Sequence, residues 1–136
     1  METIYFAGGC FWGMEHLYRR LPGVTAVTAG YANGSGPEAA NYAAVCTGTT
    51  GFRETVRVDY DPEAIPPKQL LFAFFAVIDP ETPNRQGMDF GTQYQPGVYW
   101  TTPEQKATVR RIFDLEAAAL PCFAVESGPS RCFYPA

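Results

Sequence analysis

A chain of 136 residues is one domain's worth of polypeptide, long enough to bury about two-thirds of its unfolded surface and too short to promise a second core. A hydrophobic fraction of 46% with 18% charged residues fits a globular protein, and a net charge of −4 with scattered arginines excludes a basic stripe for a nucleic-acid backbone. No apolar run is long enough to span a bilayer and Met1-Glu2-Thr3 opens no basic-then-apolar leader, so the expectation is a soluble, cytoplasmic monomer with a single domain over 1–136.

The β-prone run Ile4-Tyr5-Phe6-Ala7 gives way at Gly8-Gly9-Cys10-Phe11-Trp12-Gly13 to apolar residues at helical spacing: Phe11, Met14, Leu17, Tyr18 and Leu21. This predicts a strand, a tight turn holding Cys10, and a helix over 11–20. A thiol at a helix start meets the positive end of the macrodipole and unpaired amide N–H groups, which favour thiolate, so Cys10 is a candidate nucleophile. The flanking glycines let backbone approach what the sulfur attacks, and Phe11 and Trp12 can wall an apolar pocket. Taken alone, a cysteine in a tight turn is more often a packed residue. Glu15 and Arg19 lie at helical spacing on the exposed side, and His16 belongs with them. Pro22-Gly23 stops the helix, 24–29 reads as a strand ending at Gly30, and 33–37 is a loop by composition.

Residues 52–60 alternate strictly. Phe52, Glu54, Val56, Val58 and Tyr60 share one face, and Arg53, Thr55, Arg57 and Asp59 share the other. The first set is otherwise apolar and should face the core, which turns Glu54 inward. A carboxyl group drawn into low dielectric has its pKa raised and becomes a proton donor near neutral pH. The pattern leaves open a solvated Glu54 at a frayed strand start, or one paired with a buried arginine.

Pro66-Pro67 opens a second helix, and 70–78 is apolar nearly all round, which reads as core. The stretch 79–96 has little periodicity and is rich in Pro, Gly, Asn and Gln; long loops of this kind in compact domains are usually functional or disordered. Residues 97–100 form the next strand. Thr102-Pro103-Glu104-Gln105 supplies an N-cap, a first-turn proline and a box partner for a helix that buries Val109, Ile112, Phe113 and Leu120. Pro121 ends it, 122–125 reads as a final strand, and 126–136 is a tail carrying Cys132 amid Gly, Pro and Ser. Strands interleaved with helices predict an α+β two-layer sandwich with an extended irregular loop and tail, although periodicity alone also allows a small three-layer α/β fold. The four cysteines contain no C-x-x-C pair and the only histidine is His16, so no metal site is expected.

Gly-Cys-Phe-Trp-Gly after an apolar strand resembles the signature of the A-type peptide methionine sulfoxide reductases. Further matches are Pro22-Gly23-Val24, Gly30-Tyr31, Asn41-Tyr42, Val45-Cys46-Thr47-Gly48 and Thr50-Gly51. They continue with Glu54-Thr55-Val56-Arg57-Val58, Tyr60-Asp61-Pro62, Asn84-Arg85-Gln86-Gly87, Asp89, Gly91-Thr92-Gln93-Tyr94 and Phe133-Tyr134-Pro135-Ala136. The resemblance implies a ferredoxin-like plait and reduction of methionine S-sulfoxide, free or in proteins. It implies that Cys10 attacks the sulfoxide sulfur, that Phe11 and Trp12 cage the methyl group, and that Glu54 gives a proton to the oxygen. Tyr42 and Tyr94 would hydrogen-bond that oxygen, and Asp89 would order the loop or a water beside it. Singly, each tyrosine would be read as a packed ring and Asp89 as a turn residue.

Cys10 would end as a sulfenic acid that a second thiol must restore. Cys132, on a Gly-Pro-Ser tail, is the candidate resolving residue, with Cys122 and Cys46 behind it. No bound cofactor is expected; the reductant would be thioredoxin, glutaredoxin or a small dithiol, and the other partner an oxidised protein or methionine sulfoxide. The chain departs from the family at Phe52-Arg53, where His-Ala is common, at Ala43-Ala44, often acidic, and after Ala136, where relatives usually continue. The competing readings are a non-catalytic methionine-binding module and another cysteine-based oxidoreductase. A hydrolase is disfavoured because His16, nearly two turns from Cys10, is poorly placed as a base.

Overall fold

The computed structural model describes residues 1–8, 11–32, 53–78, 85–86, 89–90, 95–120, 123–130 and 133–135. Strand β1 (Glu2–Ala7) is followed by helix α1 (Phe11–Arg19), strands β2 (Val24–Ala32) and β3 (Arg53–Tyr60), and helix α2 (Pro67–Val77). Two short strands, β4 (Arg85–Gln86) and β5 (Asp89–Phe90), precede β6 (Gly97–Trp100), helix α3 (Pro103–Ala119), β7 (Glu126–Pro129) and β8 (Phe133–Pro135). Six strands form one mixed sheet in the order β7-β6-β1-β3-β2-β8. All neighbours are antiparallel except β6 and β7, whose parallel pairing needs a crossover, and α3 supplies it. The protein is therefore an α+β domain.

Alternation along the strands separates the two faces of the sheet. Ile4 and Phe6 of β1, Val27, Ala29 and Tyr31 of β2, Val56, Val58 and Tyr60 of β3, and Val98 of β6 all lie in one buried cluster. Met14 and Tyr18 of α1, Leu70, Leu71 and Phe74 of α2, and Val109, Ile112 and Phe113 of α3 join it, so the three helices share one core. Phe6 sits at its centre, stacked on Tyr18 with ring centroids 4.7 Å apart and tilted against Phe74 at 5.4 Å. At the turn between α1 and β2, Gly23 adopts φ +96°, a conformation that L side chains rarely accept, and a Cβ there would lie 2.7 Å from Ile65 Cγ2.

The cap of α3 does more than start a helix. Thr102 Oγ1 accepts from Gln105 N at 3.1 Å, and the Gln105 side chain accepts from Thr101 N at 2.8 Å. Its amide then donates to the Thr3 carbonyl and to Tyr60 Oη, each at 2.9 Å, while Tyr60 Oη donates to Glu2 at 2.9 Å. The buried cap residue thus ties α3 to β1 and β3.

Several elements differ from the sequence expectation. Strand β2 runs past Gly30 to Ala32, because Gly30, Tyr31 and Ala32 pair with β3 on one side and β8 on the other. In α2, Phe72 and Val77 are 56% and 55% exposed, although the apolar run 70–78 predicts core throughout. A helix lying on one layer can bury only the faces turned to the sheet and to its helical neighbour; Phe72 falls on the remaining stripe with Lys68 and Ala76, and Val77 is the last residue of the helix. Within 79–96, β4 and β5 form a small two-stranded sheet, with Arg85 opposite Phe90 and Gln86 opposite Asp89.

The expected strand at 122–125 is displaced: pairing begins at Glu126, opposite Gly97, the first residue of β6. Phe123 and Val125 still pack against the core, and that apolar alternation mimics a strand. The stretch that reads as an irregular tail forms both edge strands. Edges tolerate proline, since the missing N–H faces away from the ladder, and Pro129 and Pro135 sit there.

These two edges also report the curvature of the sheet. Pro129 ends β7 and Phe133 begins β8, and four residue steps reach at most about 14 Å. A flat sheet of this width would separate its edge strands by about 24 Å. The sheet therefore curls toward the face opposite the helices. There the Phe133 ring meets Tyr5 of β1 at 5.1 Å, over a small cluster of Ala7, Ala32 and Tyr99.

Candidate active site

Strand β1 delivers the chain to the centre of one end of the sheet. Its last residue, Ala7, pairs with Thr55 on one side and Gly97 on the other. The next residue, Gly8, has no space for a side chain: a Cβ would lie 2.5 Å from Ile78 Cγ2 and 3.1 Å from Met14 Cε. Close packing of the chain onto α1 and the end of α2 thus requires glycine where β1 turns toward α1. Helix α1 starts at Phe11 with no acidic residue in its first turn, so no carboxylate there offsets the positive end of its dipole. The Glu15–Arg19 pair forms at 2.7 Å on the outer side, where His16 is also exposed.

Glu54 is the second residue of β3. It is 1% exposed and lies on the helix-covered face with Val56, Val58 and Tyr60. Tyr31 of β2 stands directly opposite it, and one further step of the β1–β3 register brings Gly8 opposite it on the other side. The carboxyl group is therefore held at the end of the sheet where β1 hands over to α1. Trp12, on the first turn of α1, is 59% exposed. Phe11 opens α1, and Asp89 lies in β5 opposite Gln86.

Cys10, Tyr42, Tyr94, Cys46, Cys122 and Cys132 lie outside the described residues, as does Phe52. Cys10 follows Gly8 by two positions and directly precedes Phe11. Among the described residues no group of three His, Cys, Asp or Glu side chains could hold a metal ion, and no helix is long and apolar enough to cross a membrane.

Two features escape a reading of the sequence. Tyr31 neighbours Glu54 because β2 continues beyond Gly30; the alternation of Val27, Ala29 and Tyr31 is the available signal. Arg53, in sequence only a departure from the family pattern, makes a forked ion pair with Glu126, with Nε at 3.0 Å from one oxygen and Nη2 at 3.2 Å from the other. The Tyr99 hydroxyl donates to the first of these oxygens at 2.9 Å. These residues lie on different strands, far apart in sequence, and no local pattern marks them as partners.

A carboxyl group is thus buried at the end of the sheet where β1 hands over to α1, and the sequence between these two elements carries a glycine-flanked cysteine. Residues 2–136 match the family model of peptide methionine sulfoxide reductase. A relative from Oryza sativa, peptide methionine sulfoxide reductase A2-1, is 44% identical over 137 residues, covering 100% of this chain and 73% of the relative. The crystal structure of Mxr1 from Saccharomyces cerevisiae in reduced form superposes with a TM-score of 0.91 at 34% identity, covering 98% of this chain and 78% of that one. Mxr1 in complex with Trx2 is also similar, with a TM-score of 0.73 at 25% identity over 99% of this chain and 80% of the yeast chain. The chain belongs to the peptide methionine sulfoxide reductase family.

Proposed function

We propose that this protein reduces methionine S-sulfoxide, free or in oxidised proteins, with Cys10 as nucleophile and Glu54 as proton donor. The Cys10 thiolate attacks the sulfoxide sulfur while Glu54 delivers its proton to the oxygen. The S–S bond formed by this attack and the S–O bond of the substrate both break as the oxygen passes to the Cys10 sulfur, so methionine leaves and Cys10 is left as a sulfenic acid. The substrate sulfur gains two electrons and the cysteine sulfur loses them. Carbonyl-like polarity at sulfur and a small methyl group call for an apolar wall and hydroxyl donors; Phe11 and Trp12 serve as the first and Tyr42 and Tyr94 as the second, with Asp89 ordering the loop beside them.

The observation that carries this reading is the burial of Glu54 at the strand end where β1 leads into Cys10. A carboxyl group held out of water is more readily kept protonated, which is the state a proton donor needs. The exposure of Trp12 supports it too, since a ring on the rim is open to a substrate side chain. The strand order β6-β1-β3-β2, with α1 between β1 and β2 and α2 between β3 and β6, supports reading the inner four strands as a ferredoxin-like plait.

In the second half of the cycle the Cys132 thiol attacks the sulfenic sulfur; its proton leaves with the sulfenic hydroxyl as water and a disulfide with Cys10 forms, with Cys122 or Cys46 as substitutes. A thioredoxin dithiol then reduces it, and the thioredoxin complex of the yeast relative supports that choice over glutaredoxin or a small dithiol. The protein works as a monomer with no bound cofactor.

Mixing the reduced protein with a diastereomerically defined methionine sulfoxide peptide tests the reading by mass. One oxygen should be lost from the S epimer in a single turnover, and not with Cys10→Ser. Reduction by Cys10→Ser, or failure of the wild type with both epimers, disproves it. Cys132→Ser should retain that first turnover and lose thioredoxin-driven recycling; unchanged recycling rejects Cys132 as the resolving thiol.

A further inference from the structure

The face of the sheet turned away from the helices carries a charged network beneath the candidate site. Arg53 of β3 reaches Glu126 of β7 although β1 and β6 lie between them. Two small residues at neighbouring register positions, Ala7 and Gly97, leave the space for this crossing, and the curl of the sheet shortens it. Gly97 is required there, since a Cβ would lie 2.8 Å from the Tyr99 hydroxyl. Burial works against the guanidinium charge, yet the hydrogen bond and charge of Glu126 outweigh it and leave the Arg53 pKa raised. The pair is thus a charged, forked clamp.

Its position matters because of how β3 is held at this end. Arg53 and Glu54 are the first two residues of β3, facing Ala32 and Tyr31 of β2. Strand ends fray more easily than strand centres. Adjacent strand residues point to opposite faces, so pinning Arg53 on one face fixes the direction of Glu54 on the other. The anchor on β7 holds a second site neighbour as well. The buried Gln95 side chain donates to the carbonyls of Ala124 and Pro96, and Glu126 N donates to the Pro96 carbonyl at 2.9 Å. Gln95 directly follows Tyr94.

We propose that Arg53 and Glu126, with Tyr99, are positioning residues for sulfoxide reduction: the bridge locks the start of β3, and so the Glu54 carboxyl, onto the segment 124–126 that Gln95 ties to the stretch bearing Tyr94. The inference rests on the proposed role of Glu54, and its test separates the two.

First-turnover rates on the S-sulfoxide peptide are measured for the full chain carrying Arg53→Met, Arg53→Lys or Tyr99→Phe, each in the wild-type and the Glu54→Gln background. Arg53→Met should lower the rate about tenfold, since small misplacements of a reacting group are costly. Arg53→Lys should recover part of that, because it keeps the charge without the fork. In the Glu54→Gln background the same Arg53→Met change should cost less than about twofold, because the effect is routed through Glu54. Equal losses in both backgrounds, or a lowered melting temperature with an unchanged rate for the folded protein, overturn the proposal. Should Arg53→Met not fold, Tyr99→Phe decides: a smaller loss that vanishes with Glu54→Gln supports the bridge, and a wild-type rate rejects it. A wild-type enzyme indifferent to Glu54→Gln removes the role of Glu54 and the proposal with it. That outcome is distinct from one in which Glu54→Gln is slow and Arg53→Met is not.

Discussion

Tyr31 faces Glu54 across the β2–β3 register, and both side chains are buried on the helix-covered side of the sheet. With Val56 below and Gly8 on the other flank, the carboxyl group fills a covered position, so its removal has a packing effect as well as a chemical one. The two are separable. Glu54→Gln keeps the volume and removes the acid; first-turnover reduction is expected to fall about a hundredfold or more, with the melting temperature close to that of the wild type. Glu54→Ala adds a cavity and should also destabilise by about 1–2 kcal/mol in denaturant titration. If both variants lose activity only in proportion to lost stability, Glu54 is a packing residue.

Gly8, two positions before Cys10 in sequence, is closely packed. Any Cβ there must displace Ile78, Met14 or the Phe74 ring, whose nearest atoms would lie 2.5, 3.1 and 3.3 Å away. Overpacking of this kind typically costs about 1–3 kcal/mol. Gly8→Ala should therefore lower the denaturant midpoint, and because the displaced backbone lies two residues before Cys10, it should also slow alkylation of Cys10 by iodoacetamide. Ile78→Ala in the same chain opens the space and should restore much of both; no recovery there would show that the clash is not the cause.

Much of this arrangement is legible in the sequence because it is local. The helix-covered face of β3 is written in alternation, and the start of α3 in Thr102 and its neighbours. What escapes is non-local or compositional. The Arg53–Glu126 bridge joins strands that only the sheet order brings near each other. The tail looks irregular because Gly, Pro and Ser are depleted in strands generally, yet edge strands accept them. The exposed Phe72 shows the reverse limit, for an all-apolar helix pattern does not say that one layer of sheet will leave a stripe uncovered. Arg53, in sequence merely a departure from the family pattern, acquires a partner only when β7 is in place.

Gln105 offers a control far from the reacting groups. Its side chain accepts from Thr101 N and donates to the Thr3 carbonyl and Tyr60 Oη, the last of these bonds fully buried and the other two partly. Gln105→Ala leaves these groups short of a partner, and a buried group so left typically costs about 1–3 kcal/mol. A loss of about 2–3 kcal/mol is expected in urea titration, with the first-turnover rate of the folded protein unchanged. A rate loss at temperatures where the variant is fully folded would place Gln105 in communication with the site.

Three of the buried tyrosines, Tyr18, Tyr60 and Tyr99, set an alkaline limit of the fold. The Tyr18 hydroxyl donates to the Leu70 carbonyl at 3.0 Å, and burial raises its pKa well above 10.0. Burial likewise raises Tyr60, with the Gln105 hydrogen bond opposing and Glu2 adding, and raises Tyr99, where the charge of Glu126 adds further. In the unfolded chain these phenols ionise near their ordinary value of 10.0. Above that pH the unfolded state binds fewer protons than the native one, so native stability falls as pH rises. The contribution is fully present below pH 10 and is lost progressively above it. Unfolding followed by far-ultraviolet circular dichroism should accordingly set in above pH 10, together with a cooperative rise in tyrosinate absorbance. Tyr18→Phe should shift that transition to higher pH by removing one of the ionising groups. Tyrosinate absorbance that rises in full while the circular dichroism signal is still native would mean that these hydroxyls titrate within the folded state, contrary to their burial.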